Sequence, residues 1–353
     1  MRFTLTFLTG LAATLLMTGV SNARTFNATA VLELPECVKQ CGIDILPRYN
    51  CLVGEDCWCE REGPLQDELS QCVLLECPEL REALEGLKFQ ALTCDWPRDR
   101  NLGTLATGIS YALFSVASFF LLARFLSRWP YLKGAGLSWD DAIVLVCFIP
   151  VVGMTVAVTK EVGYGSGKDT WMLEIEDVVN YAKWFYIAIP MYIAAAFTTK
   201  LSLIALYLRV WPASRDCRYT TFRRLCWTMG FLLVGAALAC SLAMIFACHP
   251  ISNAWKYANT GNGTCINRVA AAYAYGGLNV IFDLIVIALP IPKLLQLDVS
   301  RRQKIGICSC FLVGLIATGC SVTRLFTLQN LTTARNITWD FLPCGFWSIC
   351  MSA

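Results

Sequence analysis

The sequence is poor in charge: only 16% of its 353 residues are Asp, Glu, Lys or Arg, against 56% hydrophobic residues. Soluble domains average about 25% charged residues. An ordinary cytosolic globule, a disordered regulator and a nucleic-acid binder are therefore excluded. The sequence also holds a single histidine, His249. No spacing resembles a Ser/His/Asp triad or a metal-hydrolase motif, so no enzyme is expected. The glycine-rich stretch Gly163-Tyr164-Gly165-Ser166-Gly167 is not a phosphate loop, because Gly167-Lys168 is followed by Asp169 rather than Ser or Thr. No internal repeat places two broken apolar segments in corresponding positions, which argues against a transporter.

What charge there is divides unevenly. Residues 24–100 carry 15 acidic and 8 basic side chains, net −7, whereas residues 101–353 carry 11 acidic and 20 basic, net +9. Ahead of both, Arg2 precedes an apolar run over 5–20 that ends in the small residues Ser21-Asn22-Ala23. The run is interrupted by Thr and Gly and falls short of the ~20 apolar residues a span needs. It reads as a signal peptide, residues 1–23, cleaved after Ala23.

The next segment is expected to enter an oxidising compartment. It holds Cys37, Cys41, Cys51, Cys57, Cys59, Cys72, Cys77 and Cys94 within fewer than 80 residues. Such a chain cannot build a sufficient core alone, and disulfides supply stability by restricting the unfolded state. Eight cysteines allow about 105 pairings, among which spacing alone does not choose. Apolar residues at three- and four-residue spacing suggest helical turns over 65–77 and 78–87.

Residues 101–353 carry long apolar runs at 102–123, 142–159, 184–208, 225–247, 269–292 and 305–323, each of a length that crosses ~30 Å of hydrocarbon as helix. A seventh run begins at 341, and the 13 residues to Ala353 make only part of a span. The expectation is six full spans and a partial seventh, incomplete at the C-terminus. With the cysteine module outside, the loops after helices one, three and five hold 12 of the body's 20 basic residues, in keeping with the positive-inside rule. The sequons at Asn27, Asn262, Asn330 and Asn336 all fall on segments assigned outside and are expected to be glycosylated. Cys248 and Cys265 bound an outer loop and can pair with each other.

Two charges lie inside the apolar runs, Lys200 in helix three and Asp283 in helix five, with Asn279 one turn from Asp283 on the same face. They read either as a polar cluster serving as ligand floor or switch, or as a structural ion pair. Asp140 and Asp141 open helix two, where they suit its positive end. Arg209 ends helix three at the inner face. It reads as a topology charge with a snorkelling stem, or as a contact residue for a cytoplasmic partner.

The order P-x-C-x3-C-x9-C-x5-C-x-C-x12-C-x4-C-x16-C, starting at Pro35, resembles the fungal CFEM domain, an eight-cysteine extracellular helical basket. That resemblance implies the pairs Cys37–Cys77, Cys41–Cys72, Cys51–Cys57 and Cys59–Cys94. Some CFEM domains bind haem iron through an Asp before the fourth cysteine. Asp56 stands near that place but directly beside Cys57, and an apolar platform of Leu52, Val53, Trp58 and Leu65 would have to support the haem. Further on, Ser138-Trp139-Asp140-Asp141, the stretch 163–167 with Trp171, Lys200 with Tyr207-Leu208-Arg209, Leu289-Pro290-Ile291-Pro292 and Thr338-Trp339-Asp340 occur in order. They resemble the CFEM-containing, seven-helix G-protein-coupled-receptor-like proteins of fungi, the pathogenicity-related type with a fungal rhodopsin-like domain.

The expected fold is mainly α: a disulfide-stapled extracellular domain over 24–100, then a transmembrane bundle over 101–353. The expected function is a multi-pass plasma-membrane receptor for an extracellular or surface cue, embedded in membrane lipid and coupling to a heterotrimeric G protein, with no nucleic-acid partner. The alternative is a membrane-anchored haem or iron binder; no cofactor other than haem is in question.

Overall fold

The computed structural model describes residues 28–61, 63–77, 79–129, 136, 139–211, 217–256, 264–294, 301–331 and 336–352. The expected signal peptide, Asn27 and Asn262 fall outside these residues, and the side chain of Asn330 is outside them as well. The chain divides into two compact units, one running to Pro97 without Pro78–Leu80, the other comprising Pro78–Leu80 and the chain from Arg98 on.

The first unit runs through α1 (Ala28–Glu33), α2 (Glu36–Ile45), α3 (Asp56–Cys59), α4 (Pro64–Glu76) and α5 (Leu80–Thr93). Cys37 and Cys41 are one helical turn apart on α2, so both sulfurs face α4, where Cys77 and Cys72 meet them. Cys51–Cys57 closes a tight loop, and Cys59–Cys94 ties α3 to the end of α5. The core is small: Ile45, Leu46, Trp58, Leu65, Leu69 and Leu84 around the half-cystines. Helix α5 approaches α2 so closely that a Cβ at Gly86 would lie 2.8 Å from Val38 Cγ1. Two buried amides, Gln66 and Gln90, both donate to the Trp58 carbonyl, at 2.7 and 2.8 Å. The buried backbone acceptor is thereby satisfied.

The second unit comprises α6 (Gly103–Arg128), α7 (Trp139–Gly163), α8 (Ile175–Val210), α9 (Cys217–Ile245), α10 (Asn253–Lys256), α11 (Arg268–Ala288), α12 (Ile291–Leu294), α13 (Arg301–Leu331), α14 (Ile337–Asp340) and α15 (Leu342–Ser352). A two-residue hairpin, β1 (Cys248–His249) with β2 (Thr264–Cys265), follows α9, and the Cys248–Cys265 disulfide bridges its strands. Five segments among the described residues are long and apolar enough to cross a membrane: α6, α7, α8, Thr220–Ile245 and Arg268–Lys293. In α13 the described apolar stretch is Leu312–Leu328.

Burial runs opposite to that of a water-soluble globule. Phe119, Ile149, Phe231, Val313 and Phe326 are each at least 65% exposed, while Lys200 is 4% exposed. Hydrocarbon solvent rewards this arrangement: apolar side chains face lipid at no cost, and polar ones gather inside where they can pair. Helix α8 is the axis of the bundle. It packs against α7, α9 and α11, and buries Tyr181, Tyr192, Phe197, Lys200 and Ile204 along its length. No half-cystine reaches it; the outer loop is held to it instead by Tyr186. That hydroxyl donates to the Met244 and Ile245 carbonyls at 2.8 and 2.7 Å, and its ring packs on Trp255.

Candidate functional site

Polar side chains meet inside the bundle at three levels. At the middle level Lys200 Nζ lies 2.9 Å from Asp283 Oδ1 and donates to Asn279 Oδ1 at 2.8 Å and to the Ala196 carbonyl at 3.0 Å. The other Asp283 oxygen accepts from Ser321 Oγ at 3.0 Å, and Asn279 Nδ2 donates to Ser321 Oγ at 3.0 Å. Helices α8, α11 and α13 are thus joined by one buried tetrad. Lys200, Asn279 and Asp283 are the cluster named from the sequence, and the structure brings all three together. Ser321 was missed because a serine in an apolar helix carries no signal of its own. Only the rotation of α13 against α11 reveals it.

At the end where α6 finishes and α7 begins, Arg124, Arg128 and Arg209 converge on Asp140 and Asp141. Arg124 reaches Asp140 at 2.7 Å and Asp141 at 3.1 Å; Arg128 binds Asp140 at 2.7 Å and also Asp141. Arg209 Nη1 sits 2.8 Å from Asp140 Oδ2. The two carboxylates lie in the first turn of α7, where the helix dipole favours them, and three arginines on two carboxylates leave net positive charge. Arg209 is therefore a cross-helix tie as well as a partly exposed cation, its side chain 34% accessible.

At the opposite end, Asp169 is fully buried. Arg100 grips both its oxygens, with Nε donating at 3.0 Å, and stacks on Trp339 with its guanidinium carbon 4.5 Å from the ring centroid. Asn336 Nδ2 donates to Asp169 Oδ1 at 2.6 Å, and Asn336 Oδ1 accepts from the Thr170 backbone and hydroxyl at 2.8 and 2.9 Å. Thr338 Oγ1 donates to the Lys168 carbonyl at 2.7 Å. Gly167 makes this closure feasible: its φ is +86°, and a Cβ there would lie 2.7 Å from the Gly103 nitrogen. The glycine-rich stretch that is not a phosphate loop is thus a docking turn for the start of α6. Asn336 is 7% exposed with its amide nitrogen bonded inside the cluster, which makes it a structural amide of this fold.

Residues 123–352 match the family model described as the fungal rhodopsin domain. The chain belongs to that family. Residues 30–95 match the CFEM domain. A relative in Emericella nidulans, "SAT4 family membrane protein", is 30% identical over 227 residues, 63% of this chain and 54% of the relative. "Polyenoic acids biosynthesis gene cluster protein Ba17b" of Metarhizium anisopliae is 25% identical over 224 residues, 60% of this chain and 59% of the relative. The chain spans about half the length of the curated relatives it matches. No solved structure matches. The fungal rhodopsin domain is accordingly the multi-pass membrane body that carries the polar levels, except that Arg100 precedes the matched residues.

The CFEM domain raises the question of haem. Asp56 is exposed at the start of α3 and lines an open cleft of ≈ 660 Å³ with Glu60, Arg61, Asp95, Trp96 and Pro97. None of the four platform residues lines it: Trp58 and Leu65 are packed within the module's own core, and Leu52 and Val53 lie outside the cleft. A porphyrin face needs an apolar wall, and here Asp56, Glu60, Arg61 and Asp95 interrupt the wall that Trp96, Pro97 and the half-cystines form. The residues present do not fit haem. Titrating ferric haem into the purified full chain is expected to give the same Soret band with wild type and Asp56→Ala. A shifted band lost on that substitution would contradict this.

Proposed function

We propose that this fungal rhodopsin family member is a plasma-membrane receptor of the G-protein-coupled type, with its CFEM domain outside and its arginine-rich end in the cytoplasm. The observation that carries the reading is the Lys200–Asn279–Asp283–Ser321 tetrad. Three helices share one buried ion pair, so a ligand that turns α11 or α13 changes the pairing. A packed bundle responds to such a change by switching rather than by bending. The charge distribution supports the orientation: Arg124, Arg128 and Arg209 gather at one end. The Cys248–Cys265 disulfide, which suits an oxidising side, closes the hairpin after the other end of α9.

In this reading Arg209 serves both purposes. Bound to Asp140 it holds α8 to α7, and its exposed face meets an acidic surface of the G protein. The experiment is co-elution of the full chain in lipid nanodiscs with purified, nucleotide-free heterotrimeric G protein. A complex that dissociates on adding a non-hydrolysable GTP analogue is expected, and Arg209→Ala should weaken it about tenfold. Absence of any complex would overturn the receptor reading.

A further inference from the structure

Arg324 belongs to none of the three levels. It follows Ser321 by one turn on α13, toward the Asn336 end, and its guanidinium carbon lies 4.1 Å from the Tyr192 ring centroid and 5.5 Å from that of Tyr275. The two rings meet edge to face at 5.7 Å. Arg324 Nε is buried and has no hydrogen-bond partner, and neither has the buried Tyr275 hydroxyl. No carboxylate pairs with Arg324 among the described residues. Asp283 is already held by Lys200 and Ser321. Glu161, another buried carboxyl of the bundle, is without a partner at Oε1 and makes no ion pair with Arg324.

Among the described residues, the interior of the bundle therefore holds a guanidinium that an aromatic pair stacks but no carboxylate neutralises. A cation in hydrocarbon is retained only when something compensates it, and such a residue marks a functional site by default. Stacking on Tyr192 supplies part of the compensation. It leaves Nε, one donor of the in-plane N–H fork by which arginine recognises anions, without a partner.

We propose that Arg324, Tyr192 and Tyr275 anchor a binding site for an organic monocarboxylate with an apolar body. The guanidinium fork takes the carboxylate and the Tyr275 hydroxyl donates to it. One negative charge matches one uncompensated positive charge; a doubly charged phosphate would leave a net anion in the same low-dielectric space. The apolar body follows from the neighbours: Phe197 packs on Tyr275 at 6.2 Å between centroids and on Phe282 at 5.8 Å. Asn279 lies one turn from Tyr275 and Ser321 one turn from Arg324, so the site borders the tetrad. This deepens the receptor reading by naming the ligand class, and rests on it only for the consequence of binding.

A water-borne aryl acid and a fatty acid from the lipid phase share this chemistry, and the test separates them. The full chain, in nanodiscs of zwitterionic lipid, is melted with phenylacetate or decanoate, and with phenylacetamide or decanamide as uncharged controls. At a hundredfold excess over Kd an occupying acid is expected to raise the melting temperature by about 5 °C. A shift from phenylacetate alone supports a soluble ligand, from decanoate alone a lipid-borne one, and from both the shared carboxylate site. In each case Arg324→Gln should abolish the shift. Tyr275→Phe, which keeps the ring and the fold, should weaken binding about tenfold. An amide as effective as its acid, a shift that survives both substitutions, or no shift from either acid would overturn the site. Binding without G-protein co-elution would remove the receptor reading alone; co-elution without binding would remove this site alone.

Discussion

Replacing Lys200 by Met is expected to cost the bundle about 3–5 kcal/mol, and replacing Asp283 by Leu a similar amount, whereas the double variant loses less than either. Removing one member leaves its partner charged in a dry interior. With Lys200 gone, Asp283 keeps only the Ser321 hydroxyl and the distant Asn279 amide, at 3.0 and 3.4 Å. With Asp283 gone, Lys200 keeps two neutral acceptors, Asn279 Oδ1 and the Ala196 carbonyl. Removing both deletes the ion pair and leaves Asn279 and Ser321 bonded to each other. The measurement is a double-mutant cycle on thermal unfolding in detergent. A coupling of at least about 3 kcal/mol follows from those losses, and strict additivity would show that the two charges act independently.

How much of this was legible in the sequence depends on what the signal is made of. The spans were legible because hydropathy is a property of composition, but their ends were not. A hydropathy window stops at the first charges, and helices do not. Helix α8 begins at Ile175 rather than near 184, carrying Glu176, Asp177 and Lys183 on turns beyond the apolar run. Helix α13 continues to Leu331, eight residues past the end of its apolar run, and this is what puts Arg324 inside the bundle. Taken from the run alone, Arg324 is a loop charge.

The intramembrane pair was legible for the opposite reason. A lysine or aspartate in the middle of an apolar run is costly enough to announce itself. Its partners were not: Ser321 is common in apolar helices, and Tyr192 and Tyr275 read as ordinary lining. The sequon at Asn336 shows a further limit. Three letters define an acceptor for the modifying enzyme, but burial is a property of the fold, and here the same amide is spent on Asp169 and Thr170. Asp140 and Asp141 were expected from their place at the start of a helix, and the structure adds the three arginines that converge on them from α6 and α8.

Loss of Arg100 should be as damaging as loss of Lys200, and for a related reason. Asp169 is 0% exposed and, among the described residues, has one cationic partner, Arg100, with Asn336 as its amide donor. Arg100→Ala strands that carboxylate, at a cost of about 3–5 kcal/mol. Adding Asp169→Asn in the same chain removes the stranded charge and should recover part of the loss, since the Asn336 network then faces a neutral side chain of the same shape. Asn336→Gln tests the other half of the cluster. The longer amide cannot bond Asp169 and Thr170 together from the same backbone position, and a loss of about 1–3 kcal/mol is expected from the buried groups left unsatisfied. Its electrophoretic mobility, with and without endoglycosidase, should equal that of wild type. A faster-migrating Asn336→Gln chain would mean that the wild-type residue carries a glycan and that the cluster joining Asp169 to α14 does not form in the mature protein. Equal mobility with a lowered melting temperature fixes Asn336 as part of the closure that holds α14 against the turn preceding α8.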